Sequence, residues 1–419
     1  MSEPPLILEQ GTERSRALFD RLARVMPGAN TRSATYFAPF PLTLVRGEGP
    51  FVWDLDGNRL IDLVNNYTSL VHGHAHPSIT EAIVRHARTG TVFPAPILPQ
   101  LELAERITSR LASVEQVRFT NSGTEAAMHA VRCARSATGR DAIVKANVGY
   151  HGSWEGTPGS PGERGIPAGV ARTIHWVDYN AADQLEEVME RHGHEVAAII
   201  LEPVLGAGVI PGEPGFFAAA RRASKRAGAL LILDEVVTLR LEHAGYQSRL
   251  GITPDLTVLG KVIGGGLPVG GFGGPEELMR LYDPRRQDGI EHHGTFNGNA
   301  LAMAAGVASL DLLGPEEIQR INRLGALLAD GLRKHSAARE GIEITRDGSL
   351  VQIHFEVDRI PRSGADLNPR SEQLRRFHLA ALARGVYVAP RGELNVTTVM
   401  DERLVEEAVQ RLGDALASV

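Results

Sequence analysis

Three short stretches carry side chains whose types and positions could do chemistry. Asn121-Ser122-Gly123-Thr124-Glu125-Ala126 stands where an apolar run, Gln116 to Thr120, hands over to a helical pattern, Thr124 to Ala137. Free backbone N–H groups and two hydroxyls would converge there with a helix dipole behind them, which makes an anion site; an ordinary helix N-cap fits the same residues. Leu231-Ile232-Leu233-Asp234-Glu235-Val236 is an apolar strand ending in two acids. At the carboxyl edge of an open parallel sheet Asp234 would meet a ligand crevice, although a solvated or turn-capping acid reads the same way. Val258-Leu259-Gly260-Lys261 ends another apolar strand in a lysine beside Gly264-Gly265-Gly266. Partial desolvation there would favour the neutral amine, a Schiff-base nucleophile, whereas most lysines are solvated surface charges. A strict phosphate loop ending Gly-Lys-Ser/Thr is absent and Gly264 to Gly274 holds no strict Gly-x-Gly-x-x-Gly, so nucleotide binding loses its best support.

The elements that must position these residues follow from periodicity. Between about residues 100 and 275 short apolar strands (116–120, 142–146, 196–201, 230–236) alternate with amphipathic helices (124–137, 215–226), which predicts a mostly parallel α/β sheet. Before it, a helical period over Leu18 to Met26 stops at Pro27-Gly28, and β-rich runs between Thr43 and Val64 flank Asp56-Gly57-Asn58, a hairpin signal. After it come a helix from Glu316 to Lys334, a strand over Leu350 to Val357, a helix near Glu372 to Arg384, short strands around Val386 and Leu394, and a final helix from Glu402. The expected division is 1–75 as an N-terminal helix and small sheet, 76–315 as the large α/β domain, and 316–419 as an α+β C-terminal domain. Gly152 to Gly169 is a long loop in which 11 of 18 residues are Gly, Pro or Ser, too little surface to be held rigidly; it reads equally as a solvated loop or a lid.

Composition narrows the partners. The 419 residues are 43% apolar and 22% charged, and 44 Lys+Arg against 50 Asp+Glu leave a net charge of −6, too mild to draw in nucleic acid or an anionic membrane. The single cysteine, Cys133, forms no intrachain disulfide, Met1-Ser2-Glu3-Pro4-Pro5 does not read as a secretory signal, and the best apolar run, Val196 to Leu201, is far short of a membrane span. A cytoplasmic protein is expected. His72, His74 and His76 would share a face on a strand, but Pro77 follows at once and no metal site is expected. His292-His293 and Cys133 likewise read as structural.

The order of the motifs is more specific than any one of them. The anion-type site, then Tyr150-His151-Gly152, Asp234, Lys261 27 positions later, and Gly294-Thr295-Phe296-Asn297 together resemble the class III, or subgroup II, pyridoxal-phosphate aminotransferases of fold type I, from about Pro27 to the C-terminus. The resemblance implies a large domain with a mostly parallel central sheet and a smaller α+β domain built from N- and C-terminal segments. It implies that Ser122, Gly123 and Thr124 hold the cofactor phosphate, Tyr150 stacks on the pyridine ring, Asp234 pairs with the pyridinium nitrogen, and Val236 packs on the other ring face. Lys261 would form the Schiff base and carry the proton, and Glu202, in Leu201-Glu202-Pro203, matches a Glu-Pro element near the ring edge. Thr295 would reach the phosphate from a neighbouring subunit, which implies a homodimer.

Within the class, Pro27-Gly28-Ala29-Asn30 and the stretch Leu259 to Gly270 resemble the glutamate-1-semialdehyde aminomutase branch. Two departures point away from the aminomutase itself: Leu239-Arg240 follows Asp234-Glu235-Val236-Val237-Thr238, and Gly294-Thr295 continues Phe296-Asn297-Gly298-Asn299-Ala300. With Arg32 and Phe37-Ala38-Pro39-Phe40-Pro41-Leu42, these resemble the β-amino-acid aminotransferases of the same branch, β-phenylalanine types included. There, arginines matching Arg32 and Arg391, the latter in Pro390-Arg391-Gly392, serve the substrate carboxylate, which a planar guanidinium binds bidentately; surface ion pairs would look the same. The expected activity moves an amino group from a β-amino acid to a 2-oxo acid such as 2-oxoglutarate. Glutamate-1-semialdehyde 2,1-aminomutase, another class III transaminase of amines or amino acids, and a catalytically idle cofactor-binding protein are the alternatives.

Overall fold

The computed structural model describes residues 11–419, so the opening residues read for a signal segment lie outside the described ones. The chain forms two compact units. One comprises Pro77–Ile318 with Arg362–Ala365; the other comprises the residues up to His76, Gln319–Pro361 and Asp366–Val419.

The larger unit is organised by a seven-stranded sheet in the order Gln116–Thr120, Gly270–Gly274, Leu256–Gly260, Leu230–Asp234, Val196–Leu201, Ala142–Ala146, Ile174–Val177. Leu230–Asp234 runs parallel to both its neighbours, whereas Gly270–Gly274 is antiparallel to both of its own. Val196–Leu201 is buried at every residue, which is why it reads as an unbroken apolar run. The helix Gly123–Thr138 turns Ala126, Ala127, Ala130, Val131, Cys133 and Ala134 into the core beneath the strands and ends at Gly139 in the left-handed conformation. Several helices and strands here had no clear signal, among them the helices Pro77–Ala87, Leu98–Arg110, Ala182–His192 and Ala300–Leu312, and the strands Ile174–Val177 and Gly270–Gly274.

The smaller unit has a sheet ordered Leu44–Glu48, Phe51–Asp54, Arg59–Asp62, Val386–Tyr387, and an antiparallel one ordered Ile342–Asp347, Leu350–Phe355, Glu393–Asn395. The expected hairpin at Asp56-Gly57-Asn58 is present: Gly57 takes φ 97°, and Asp54 Oδ1 accepts the N–H groups of Asp56 and Asn58. Its core draws Ile61 and Leu63 from the N-terminal segment and Leu328, Leu332, Ile353, Phe355, Phe377 and Leu412 from the C-terminal one into one cluster. His72, His74 and His76 are not on a strand. His72 Nδ1 lies 2.9 Å from Thr398 Oγ1 and His74 Nε2 lies 2.7 Å from Asp62 Oδ2, so their ring nitrogens serve separate partners.

Candidate active site

The candidate residues of the larger unit gather at the carboxyl ends of its strands. Thr120, Asp234 and Gly260 each end a strand, and Ser122 and Lys261 begin the segments that follow. Ser122 Oγ caps the helix by accepting the Glu125 N–H at 3.2 Å, and Glu125 Oε2 accepts the Asn121 N–H at 2.6 Å. The N-cap and anion-site alternatives are therefore compatible: the cap uses the Glu125 N–H, while no acceptor among the described residues takes those of Gly123 or Thr124.

Gly270 lets its strand pass directly behind this turn, since a Cβ there would stand 2.0 Å from the Ser122 carbonyl oxygen. Val236 fills the space between turn and lysine. Its methyls would lie 3.3 Å from a Cβ built on Gly123 and 3.3 Å from one on Gly260, so both glycines admit its side chain.

Lys261 itself has φ 51°, a left-handed backbone that costs a side-chain-bearing residue on the order of 1–2 kcal/mol. The helix Ala300–Leu312 holds the strained turn Lys261–Gly264: Ser309 Oγ donates to the Val262 carbonyl at 2.9 Å, and Gly306 leaves room for the Ile263 carbonyl.

Asp234 is buried and its Oδ2 lies 2.8 Å from His151 Nδ1, while Oδ1 accepts the Val236 N–H at 3.1 Å. His151 is buried too, and its Nε2 has no hydrogen-bond partner among the described residues. Glu202 points its carboxylate at backbone: Oε2 accepts the Tyr150 N–H at 2.8 Å and Oε1 the Gly206 N–H at 3.1 Å. Burial pushes its carboxyl above the ordinary carboxylate range. Tyr150, between His151 and this anchor, keeps 60% of its surface exposed. Thr295 is exposed, as is Phe296 beside it; the next residue, Asn297, accepts a hydrogen bond from Asn121 Nδ2 at 2.8 Å.

The loop after His151 departs from the expectation of an unheld segment. Gly156, Thr157 and Pro158 are buried, with the Thr157 hydroxyl donating to the His151 carbonyl at 3.1 Å, whereas 160 to 169 is mainly exposed. Its glycines and prolines allow tight turns that backbone and side-chain hydrogen bonds then fix.

Arg32 and Arg391 belong to the smaller unit. Arg32 is exposed, donates to Asn66 Oδ1 at 2.6 Å, and has no carboxylate partner among the described residues. Arg391 differs: its guanidinium pairs with buried Glu393 at 2.9 Å through Nε, and stands 5.2 Å from the centre of the Tyr67 ring. The turn through Gly392, at φ 86°, brings the two side chains together, so Glu393 partly answers the charge of Arg391. Asn65, Asn66, Tyr67 and Thr68 all take positive φ, a strained left-handed turn that carries both Asn66 and Tyr67. Neither had a signal in the sequence. His151 did, because it lies inside the Tyr-His-Gly motif, but its partner was not legible.

The donor set fits one kind of cofactor. Unpaired N–H groups at a helix start suit a phosphate, an aspartate held by a histidine suits a ring nitrogen, and a lysine amine suits an aldehyde. Residues 33–416 match the family described as aminotransferase class III. The chain belongs to this family. It is 41% identical over 95% of its length, and 92% of the relative's, to a beta-phenylalanine transaminase from Variovorax paradoxus. It is 39% identical to a glutamate-1-semialdehyde 2,1-aminomutase from Roseiflexus castenholzii, over 97% of this chain and 98% of that one. A solved transaminase with pyridoxal phosphate bound superposes with a TM-score of 0.90 at 34% identity, covering 97% of this chain and 98% of that one. The fold is that of the fold type I transaminases, and the protein is a pyridoxal-phosphate-dependent aminotransferase.

Among the described residues, no helix is long and apolar enough to cross a membrane. His175, His192 and Glu195 bring three possible metal ligands close together. The two rings are stacked 4.2 Å apart and within 25° of parallel, and one nitrogen of each lies near Glu195 Oε1, at 3.2 Å and 2.9 Å. Cys133 is buried and its thiol is pushed up to about 12 by desolvation, which keeps it unreactive.

Proposed function

We propose that this aminotransferase takes its amino group from a β-amino acid, aromatic ones included, and gives it to a 2-oxo acid such as 2-oxoglutarate. The observation that carries this reading is Arg32, an exposed guanidinium fixed by Asn66 with no carboxylate partner among the described residues. A planar fork held in one orientation suits the carboxylate of a substrate. Similarity to a beta-phenylalanine transaminase supports the same substrate class.

Bound at the carboxyl edge of the sheet, pyridoxal phosphate supplies an aldehyde and an electron-withdrawing ring. The roles of the chain follow from its chemistry. The N–H groups of Gly123 and Thr124, with the Ser122 and Thr124 hydroxyls, hold the phosphate. Asp234, oriented by His151, would hold a proton at the ring nitrogen, and Tyr150 and Val236 would pack against the ring. Lys261 would present its amine to the cofactor aldehyde and would hold and move a proton at the substrate carbon. Glu202 acts through backbone, holding the Tyr150 N–H. Arg32 holds the donor carboxylate, and Arg391, partly neutralised by Glu393, flanks it.

The proposed assembly is a homodimer in the cytoplasm, with Thr295 serving the partner's phosphate site. Exposed Phe93, Leu98, Leu101 and Phe296 support an apolar contact of this kind. A second reading, glutamate-1-semialdehyde 2,1-aminomutase, is favoured by the 39% identity to such an enzyme. One assay separates them: β-phenylalanine with 2-oxoglutarate is expected to turn over, and turnover of glutamate-1-semialdehyde without any added oxo acid would establish the second reading.

A further inference from the structure

Lys145, near the end of the strand Ala142–Ala146, is fully buried and none of the roles above uses it. A lysine is almost never buried unless its ammonium is paired. Here Nζ donates to the Gly149 carbonyl at 2.8 Å and to the Pro158 carbonyl at 2.6 Å, and lies 4.5 Å from the centre of the Trp176 ring. Trp176 is its registered neighbour on the adjacent strand, so this placement is set by the sheet. Burial brings Lys145 down to about 8, with the carboxylates of Glu202 and Glu163 opposing the shift, and it remains mostly charged at neutral pH.

The two carbonyls bracket the segment from Gly149 to Pro158. Within it the polar ties lead toward the candidate cofactor site: Tyr150 N–H to Glu202, His151 Nδ1 to Asp234, and Ser153 N–H to Thr124 Oγ1 at 3.3 Å. The segment is entered through Val148 at φ 54°, a left-handed backbone that a β-branched side chain resists. A conformation of this kind persists only where its surroundings over-determine it, and the Lys145 bond to the next residue is one such constraint.

We propose that Lys145 is a positioning residue for the cofactor: its ammonium buckles the loop shut at Gly149 and Pro158 and thereby fixes Tyr150 and the His151–Asp234 pair against the ring. The proposal rests on the reading that Tyr150 and Asp234 face the cofactor.

The test is titration of the apoprotein with pyridoxamine 5'-phosphate, which fills the pocket without bonding to Lys261, read as a dissociation constant and as the induced circular dichroism of the cofactor band. K145M is expected to weaken binding by ~tenfold or more, which is about 1.4 kcal/mol, and to reduce the induced signal while the far-ultraviolet spectrum stays native. K145Q keeps two N–H donors without charge and is expected to fall between K145M and the parent; it carries the comparison by itself if K145M does not fold. Y150A separates the two layers of the argument. If Y150A shifts both readouts and the Lys145 variants shift neither, the buckle is refuted and the ring-facing reading stands; if Y150A shifts neither, both fall.

Discussion

Gly152 offers the sharpest test of how the loop and the helix start are locked together. It is buried at φ 93°, a region that L side chains rarely adopt, and a Cβ there would stand 2.5 Å from Thr124 Cα and 2.7 Å from Thr124 Cβ. The backbone conformation alone costs G152A roughly 1–2 kcal/mol, and forcing a methyl into packed surroundings adds about 1–3 kcal/mol, so the total is about 2–5 kcal/mol. The strain cannot be absorbed by a flexible side-chain end, because the nearest atom is backbone in the first turn of the helix Gly123–Thr138. Either Thr124 moves, and the unpaired N–H groups with it, or the loop moves and Ser153 loses its hold on Thr124 Oγ1. Chemical denaturation of the apoprotein should show the loss of stability. Titration with pyridoxal phosphate and with pyridoxal, which lacks the phosphate, should show a drop of ~tenfold or more for the phosphorylated form and a smaller one for pyridoxal. Equal losses for the two vitamers, or none, would refute the claim that Thr124 and its neighbours form the phosphate cup.

Four further outcomes are expected. Lys145 holds its proton less tightly folded, at about 8, than its ordinary value of 10.5, so the unfolded chain binds more protons in that interval. Its burial penalty is full below pH about 8 and fades as the pH rises toward about 10.5, so the parent gains about 2 kcal/mol on K145M between about pH 7.5 and about pH 9.5 in urea denaturation; parallel profiles would contradict this. E202Q turns one acceptor oxygen into a donor facing the Tyr150 or Gly206 N–H and should cost about 1–3 kcal/mol of stability, measured by thermal unfolding; unchanged stability would show that the carboxylate is not what anchors Tyr150. R32A should raise KM for a β-amino acid by ~tenfold or more with a smaller fall in kcat, read in steady-state kinetics with the acceptor saturating. R391A, which leaves buried Glu393 without its cation, should instead show its main effect as about 1–3 kcal/mol of lost stability.

What the sequence by itself determined are the features governed by local rules. Val196–Leu201 and Leu230–Asp234 are legible as strands because a strand covered on both faces must be apolar throughout, and the helix Gly123–Thr138 is legible from its apolar period and its Ser122 cap. Lys261, Asp234 and the Ser122 turn stand out for the same reason, since each is a polar residue at the end of such a pattern. Gly270–Gly274 could not be read as a strand: glycine has little intrinsic preference for one, and its place is decided by the Ser122 carbonyl that any side chain at Gly270 would strike. Nor could the pairing of Asp234 with His151, of Glu202 with the Tyr150 backbone, or of Arg391 with Glu393. Lys145 looks in sequence like any other lysine. Only the crossing of the chain over it, bringing Gly149 and Pro158 to one ammonium, makes it a tie between two ends of a loop, because burial and hydrogen-bond geometry are properties of three-dimensional neighbours and not of residue order.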